Sequence, residues 1–275
     1  MKKILVLSAI FFILPASWAF ASIASAPATF ARDAKMFFKM KQDITAMVEA
    51  ATVWVVIRCD NILSGGSGFI VGDGYIATNA HVVDVSGEDV SIYVLNELIP
   101  MQKASVIKML HEGEESSSVD LAILRFDPPK GIGIPILPLN LSANINCRVS
   151  AWGYPQTMVE QKGNMGKLGK LQAITAVHAE GTINGIEKLS GKPGCHIIKY
   201  SIPLEEGYSG GPLVNENGEV LGMNTWCRRN KEDNKYLWSE AQAAANIAYF
   251  LQDNGITPKL APGQRIPPPT KSRTR

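Results

Sequence analysis

Three short segments of the chain carry residues that could together hydrolyse an amide or ester bond. A histidine lies in the segment TNAHVV, an aspartate in VDLAIL and a serine in GYSGGPLV. A serine hydroxyl is a weak nucleophile unless a neighbouring base takes its proton. His81 is the candidate base, and Asp120 is the candidate anion that would orient His81 and stabilise its imidazolium. These residue types predict nucleophilic catalysis by Ser209.

The glycines around the serine have a chemical use of their own. Attack on a carbonyl creates an oxyanion, which needs preorganised hydrogen-bond donors close to the nucleophile. We expect the backbone N–H groups of Gly207 and Ser209 to be these donors, because glycine adopts a positive φ at little cost. Gly210 and Gly211 would then leave room for substrate and for a neighbouring strand.

The elements that position these residues are predicted to be short β-strands. Apolar, β-rich runs broken by Gly, Asn and Asp indicate strands. They occur at residues 52–57, 66–71, 75–77, 90–94, 121–126, 149–152, 173–177, 197–200 and 220–225. The second and third runs indicate a hairpin that turns through Gly72-Asp73-Gly74. Many short strands with turns between them favour an all-β barrel or sandwich over alternating βαβ units.

Helices are predicted only near the two ends of this β-rich region. Residues 31–50 have apolar positions spaced closer to 3.6 than to 2, which indicates a lead-in helix within residues 22–50. Residues 245–252 indicate a second helix, and Asn254-Gly255 is a typical C-terminal stop. Residues 257–275 contain five prolines and five basic residues without an acid, so we expect a disordered tail.

The first 21 residues are typical of a secretory signal peptide. Lys2 and Lys3 precede an apolar run, and Ala19-Phe20-Ala21 supplies a small-residue cleavage pattern. The alternative is a membrane anchor, which needs about 20 spanning residues, but Pro15 interrupts the run. We therefore expect an exported protein, periplasmic or secreted, without stable membrane insertion after cleavage.

Net charge bears on nucleic-acid binding, and the cysteines bear on disulfides and metal sites. The net charge is +2, from 27 basic and 25 acidic residues, which gives no electrostatic footprint for nucleic acid. The four cysteines permit two disulfides in three connectivities, and free buried thiols are an open alternative. They are Cys59, Cys147, Cys195 and Cys227. No metal-ligand spacing is present, so neither a metal nor a cofactor is expected.

Together with GSGF at residues 66–69 and GEVLG at residues 218–222, the three segments resemble the chymotrypsin/trypsin superfamily of serine proteases. Their sequence pattern is most similar to that of bacterial trypsin-like and HtrA-type periplasmic proteases, over about residues 50–255. The resemblance implies two Greek-key β-barrels over residues 51–256, dividing near 130–145, with the active site in the cleft between them. His81 and Asp120 would lie on the first barrel and Ser209 on the second. The roughly 20 residues after Gly255 are too few for the PDZ domain of HtrA proteins.

The resemblance also implies a substrate pocket formed by the stretch before the nucleophile and by two later strands. Its residues would be Pro203, Leu204, Asn224, Thr225, Trp226 and Ala243. Thr225 would also support the aspartate. Pro203 would occupy the floor position at which trypsin carries an aspartate, so an unpaired Lys or Arg would be costly to bury there. We expect cleavage of proteins or peptides after small or medium aliphatic residues.

Two other functions use the same residues. A non-catalytic binding module on this fold is an alternative, although such proteins usually lose a member of the triad. An esterase is another, but α/β-hydrolases carry their triad in the order Ser, acid, His, whereas the order here is His, Asp, Ser. The sequence leaves the oligomeric state open.

The glycine-rich residues 158–170 predict a mobile loop beside the site, with an ordinary surface loop as the alternative.

Overall fold

The computed structural model of this protein describes residues 28–59, 62–87, 89–112, 119–157, 175–189 and 195–266. The predicted signal peptide, the predicted loop at residues 158–170 and residues 267–275 of the predicted tail lie outside these ranges.

The chain divides into two units, residues 1–43 and residues 44–275. The described residues of the first unit form the N-terminal part of helix α1 (Ala28–Ala51). The last two turns of α1 belong to the second unit, where Val48 is completely buried in the core. The predicted lead-in helix is thus present and begins three residues earlier than expected.

Six antiparallel strands close the first barrel. They are β1 (Thr52–Cys59), β2 (Ile62–Gly72), β3 (Tyr75–Thr78), β4 (Val90–Leu95), β5 (Gln102–Glu112) and β6 (Val119–Arg125). Their order around the barrel is β1-β2-β3-β6-β5-β4, so that β6 pairs with β3 and β4 closes onto β1. The predicted hairpin joins β2 to β3, and Gly74 in its turn has a φ of 73°. One helical turn, α2 (Ala80–Val83), follows β3.

The second barrel repeats this arrangement. Its strands are β7 (Arg148–Gly153), β8 (Val177–Lys188), β9 (His196–Tyr200), β10 (Pro212–Val214), β11 (Val220–Arg229) and β12 (Tyr236–Ala243). Their order is β7-β8-β9-β12-β11-β10, and pairing of β10 with β7 closes the barrel. Helix α3 (Ala244–Asp253) follows β12 and stops at Asn254 and Gly255, as predicted. The all-β, double-barrel prediction is confirmed.

The structure corrects several predicted elements. The predicted strand at residues 173–177 is wrong in its described part, because residues 175–176 are irregular and β8 begins at Val177. Strands β5, β10 and β12 were not predicted. Residues 257–266 do not behave as a disordered tail: Leu139 pairs with Leu260, and Ala261 is buried. The disorder prediction was based on the prolines and basic residues of this stretch, but its apolar residues pack against the segment between the barrels.

Cys147 and Cys227 are free thiols in this structure. All four cysteines are partly buried. Within the described ranges, no helix has both the length and the apolar character needed to cross a membrane.

Candidate active site

Two hydrogen bonds join His81 and Asp120. The pairing of β3 with β6 brings α2 against the start of β6, where Asp120 is completely buried. One carboxylate oxygen, Oδ1, accepts the backbone N–H of His81 at 3.0 Å. The other, Oδ2, lies 2.5 Å from Nδ1 of the imidazole. If Nδ1 donates this hydrogen bond, Nε2 carries a lone pair and can accept a proton.

A buried asparagine links this pair to the second barrel. Asn79 donates through Nδ2 to the backbone carbonyl of Asp120 at 2.8 Å and to Oγ1 of Thr225 at 3.2 Å. Thr225 in turn donates to the carbonyl of Met223 at 3.0 Å. Thr225 therefore reaches Asp120 through Asn79. Asn79 lies within the TNAH segment, but nothing in the sequence distinguished it from a strand-end residue.

Ser209 lies in the turn between β9 and β10. Its hydroxyl donates to the carbonyl of Thr225 at 3.1 Å, and no hydrogen bond joins it to His81 in the part of the chain that the structure describes. Both side chains line the same cleft. Catalytic hydrogen bonds are often long or poorly aligned before substrate binds. The structure thus brings Ser209 and His81 to one cleft, and among the described residues no hydrogen bond joins their side chains.

Gly207 and Ser209 are the residues whose backbone N–H groups we predict to be oxyanion donors. Gly207 has a φ of 98°, and a Cβ at this position would lie 2.3 Å from the carbonyl oxygen of Tyr154. Among the described residues, no acceptor takes the N–H of Gly207 or of Ser209. Both residues line the cleft. These two N–H groups are therefore available to an oxyanion bound beside Ser209.

The cleft itself has a volume of about 700 Å³ and lies between the two barrels. On the side of the histidine, the indole of Trp226 stacks on the ring of His81, with the centroids 4.6 Å apart and the planes at 21°. Elsewhere the cleft is lined by Trp54 and Tyr154, whose rings stack at 6.3 Å. Burial raises the pKa of Tyr154, so its hydroxyl stays protonated and donates to the carbonyl of Thr52. Sequence reasoning missed Trp54 and Tyr154 because apolar patterning does not separate a cleft aromatic from a core aromatic.

The residues of the predicted substrate pocket differ in their position relative to the cleft. Leu204, Thr225 and Trp226 line it. Pro203, Asn224 and Ala243 are not among the described residues that line it. The substrate pocket itself stays a prediction.

These positions have local structural causes. Pro203 is exposed at the surface of the protein. Asn224 is completely buried, and its side chain bonds the hydroxyl of Tyr200 at 2.9 Å. β11 has a register shift between Asn224 and Trp226, and Asn224 is buried whereas Trp226 is partly exposed. Counting along the chain could not reveal such a shift.

Charged groups border the cleft without forming a buried unpaired carboxylate. Glu205 and Glu206 are exposed, and Glu205 accepts a hydrogen bond from Thr157 at 2.8 Å. Arg229 is an exposed cation among the lining residues. Glu240 is buried nearby, but Arg228 pairs with it at 3.1 Å. Of the described lining residues, none offers a buried negative charge to a Lys or Arg of a substrate.

The sequence pattern of the trypsin-like peptidase domain matches residues 66–223, which is more than half of the chain. The chain belongs to the trypsin-like peptidase domain family. This match contains His81, Asp120 and Ser209.

Curated relatives of this trypsin-like domain carry the names of serine proteases. "Serine protease HTR4" of Rattus norvegicus is 31% identical over 166 residues, which cover 59% of this chain and 29% of that protein. The "Probable periplasmic serine endoprotease DegP-like" of Halomonas elongata is 31% identical over 162 residues, which cover 58% of this chain and 29% of that protein. The chain spans less than half the length of the curated relatives it matches.

Solved structures of the trypsin-like fold agree with the two barrels. The serine endoprotease from Yersinia pestis superimposes with a TM-score of 0.55 at 24% identity, covering 78% of this chain and 66% of that one. The active form of the Rv3671c protease from M. tuberculosis gives a TM-score of 0.54 at 22% identity, covering 82% and 89% respectively. At this level of identity, the likeness shows a shared fold and nothing more.

Proposed function

We propose that this protein is an exported serine endopeptidase that hydrolyses proteins or peptides through Ser209, His81 and Asp120. One observation carries the proposal. The 2.5 Å contact between His81 and the buried Asp120 lies at the same cleft as Ser209, where, among the described residues, the N–H groups of Gly207 and Ser209 have no acceptor. This set contains a nucleophile, a base, the anion that orients the base and two oxyanion donors.

The reaction follows from the positions of these groups. Ser209 turns from the carbonyl of Thr225 toward His81, whose Nε2 takes the hydroxyl proton as the oxygen attacks the scissile carbonyl. The N–H groups of Gly207 and Ser209 stabilise the oxyanion. His81 then gives its proton to the leaving amine, and the acyl group remains on Ser209. A water molecule, deprotonated by His81, releases the second product and restores the enzyme.

A fluorophosphonate probe tests the proposal directly. The expected result is a single covalent adduct, located on Ser209 by peptide mass spectrometry, because the probe requires an activated serine. The matched control is Ser209→Ala, which should stay unlabelled. Absence of an adduct on the folded wild type would contradict the peptidase proposal and favour a binding module.

We also infer a preference for small or medium aliphatic residues before the scissile bond. Leu204 lines the cleft, and each buried methylene contributes about 0.8 kcal/mol. Glu205 and Glu206 are solvated at the rim, where an ion pair contributes on the order of 1 kcal/mol or less.

A mixed peptide library checks this preference. Cuts are expected mainly after Val, Ala, Leu or Ile, and the pattern should be the same for Glu206→Gln. A majority of cuts after Arg or Lys would overturn the inferred preference while leaving the triad proposal intact.

Export is the remaining part of the proposal. It is supported by the signal-peptide pattern of residues 1–21 and by the periplasmic name of the Halomonas elongata relative. Edman sequencing of the protein recovered from a periplasmic or culture fraction tests it. The expected first residue is Ser22, and recovery of intact Met1 in that fraction would contradict cleavage after Ala21.

A further inference from the structure

Ser67 connects the first barrel to the nucleophile turn of the second barrel. It lies on β2 and is completely buried. Its backbone N–H donates to the carbonyl of Ser209 at 2.8 Å. Its own carbonyl accepts the hydroxyl of Thr78 at 2.7 Å, three residues before His81. The backbone of this one residue thus links the nucleophile to the strand that leads to the base.

The hydroxyl of Ser67 makes two further contacts with the second barrel. It donates to the carbonyl of Gly207 at 2.6 Å. It also accepts the backbone N–H of Tyr154 at 2.9 Å. The donor and one acceptor position of the hydroxyl are therefore both occupied, and both partners belong to segments that line the cleft.

Glycines from three separate motifs make this close approach possible. A Cβ at Gly210 would lie 2.0 Å from the carbonyl oxygen of Ser67, and a Cβ at Gly153 would lie 2.8 Å from its hydroxyl. A Cβ at Gly66 would lie 2.8 Å from the carbonyl oxygen of Ser209. Real Cβ atoms do not approach other atoms this closely, so side chains at these positions would push the two barrels apart around Ser67.

We propose that Ser67 is a positioning residue for the oxyanion hole. Its hydroxyl holds the carbonyl of Gly207 and thereby limits rotation of the turn that carries the N–H groups of Gly207 and Ser209. Ser67 is not among the residues that line the cleft, so it acts through Gly207 rather than on substrate. This inference rests on the proposed peptidase function, because the oxyanion hole acts in that reaction.

The Ser67→Ala variant removes the hydroxyl and leaves the carbonyl of Gly207 and the N–H of Tyr154 without this partner. We expect kcat to fall about 10- to 100-fold, less than the 10²- to 10³-fold typical of losing an oxyanion donor outright. KM should stay within about threefold of wild type, because the loss is confined to the transition state. The rate of fluorophosphonate labelling should fall in parallel with kcat.

Thr52→Val is the matched control. The hydroxyl of Thr52 is also completely buried and donates to a backbone carbonyl, that of Val48, at 2.7 Å. Val48 lies in the last turn of α1, and among the described residues the Thr52 hydroxyl makes no hydrogen bond to the turn that carries Ser209. Thr52→Val should therefore destabilise the protein, as measured by thermal unfolding, without lowering kcat. A purely structural role for Ser67 predicts the same result for Ser67→Ala.

The kinetic comparison uses the full chain as wild type, Ser209→Ala, Ser67→Ala and Thr52→Val. If the wild type does not hydrolyse peptides, or if Ser209→Ala does so equally fast, the proposed function fails. If the wild type is active and Ser209→Ala is not, a kcat of Ser67→Ala equal to that of Thr52→Val, or a change in KM alone, overturns the role of Ser67. If Ser67→Ala does not fold, Thr78→Val carries the test, since it frees the carbonyl of Ser67. It is expected to lower kcat about three- to tenfold, and an unchanged kcat would overturn the inference.

Discussion

Replacing Asp120 by Asn is expected to lower kcat about 10⁴-fold while the protein stays folded. In the wild type, both carboxylate oxygens accept hydrogen bonds, one from the backbone N–H of His81 and one from its imidazole. An Asn amide has only one oxygen. If its NH₂ faces the imidazole, Nδ1 has to accept and Nε2 carries the proton, so His81 cannot take the proton of Ser209.

Burial of residue 120 means that neither orientation of the Asn amide preserves the hydrogen bonds of His81. Asp120 has no exposed surface, so water cannot replace the missing acceptor. If the amide oxygen instead faces the imidazole, its NH₂ opposes the backbone N–H of His81, and two donors meet. Both orientations disturb the base that activates Ser209.

Steady-state kinetics on a peptide substrate measure this effect, together with circular dichroism to verify the fold. The matched control is Asp127→Asn, which makes the same chemical change at an exposed position just after β6. Its kcat should equal that of the wild type. An Asp120→Asn variant that is folded and within tenfold of wild-type kcat would contradict the assignment of Asp120.

Replacing Gly207 by Ala is expected to lower kcat about 10²- to 10³-fold, the range found when an oxyanion donor is lost. The new Cβ would lie 2.3 Å from the carbonyl oxygen of Tyr154 and 2.9 Å from the backbone nitrogen of Gln156. Both of these are backbone atoms, so the turn has to move. That movement displaces the N–H of residue 207 from the position at which an oxyanion forms.

Gly131→Ala separates this displacement from ordinary backbone strain. Gly131 also has a positive φ, 79°, but a Cβ there meets no atom within 4 Å. The left-handed conformation costs an alanine roughly 1–2 kcal/mol, so Gly131→Ala should lower the unfolding temperature without changing kcat. Gly207→Ala should change both. Equal kcat for the two variants would show that Gly207 is needed for stability only.

Those features that depend on local chemistry were predictable from the sequence. The hairpin between β2 and β3 requires a turn that glycine permits, and Gly74 has the positive φ that favours glycine. The end of α3 follows the same logic at Gly255, whose φ is 75°. The TNAHVV, VDLAIL and GYSGGPLV segments combine a reactive residue with its immediate neighbours. Each can therefore be recognised without knowledge of its distant contacts.

Strands β5 and β12 depended on tertiary structure instead. Most side chains of β5 are exposed or only partly buried, so it lacks the alternation that marks a strand, and pairing with β4 and β6 holds it. β12 buries polar residues that look like loop residues in the sequence. Among them, Ser239 donates to the carbonyl of Ile202 at 2.6 Å, and Glu240 pairs with Arg228. Only the folded chain supplies these partners.

The sequence by itself determined the family of the chain, its two-barrel architecture and the residues proposed to carry the chemistry. The tertiary structure decided which neighbours hold those residues and which residues line the cleft. Ser67 and Gly207 are 140 positions apart, and Asn79 and Thr225 are 146 positions apart. A register shift in β11 follows Asn224, whose side chain is buried against Tyr200. Contacts of this kind arise from strand register and barrel closure, which no short stretch of sequence encodes.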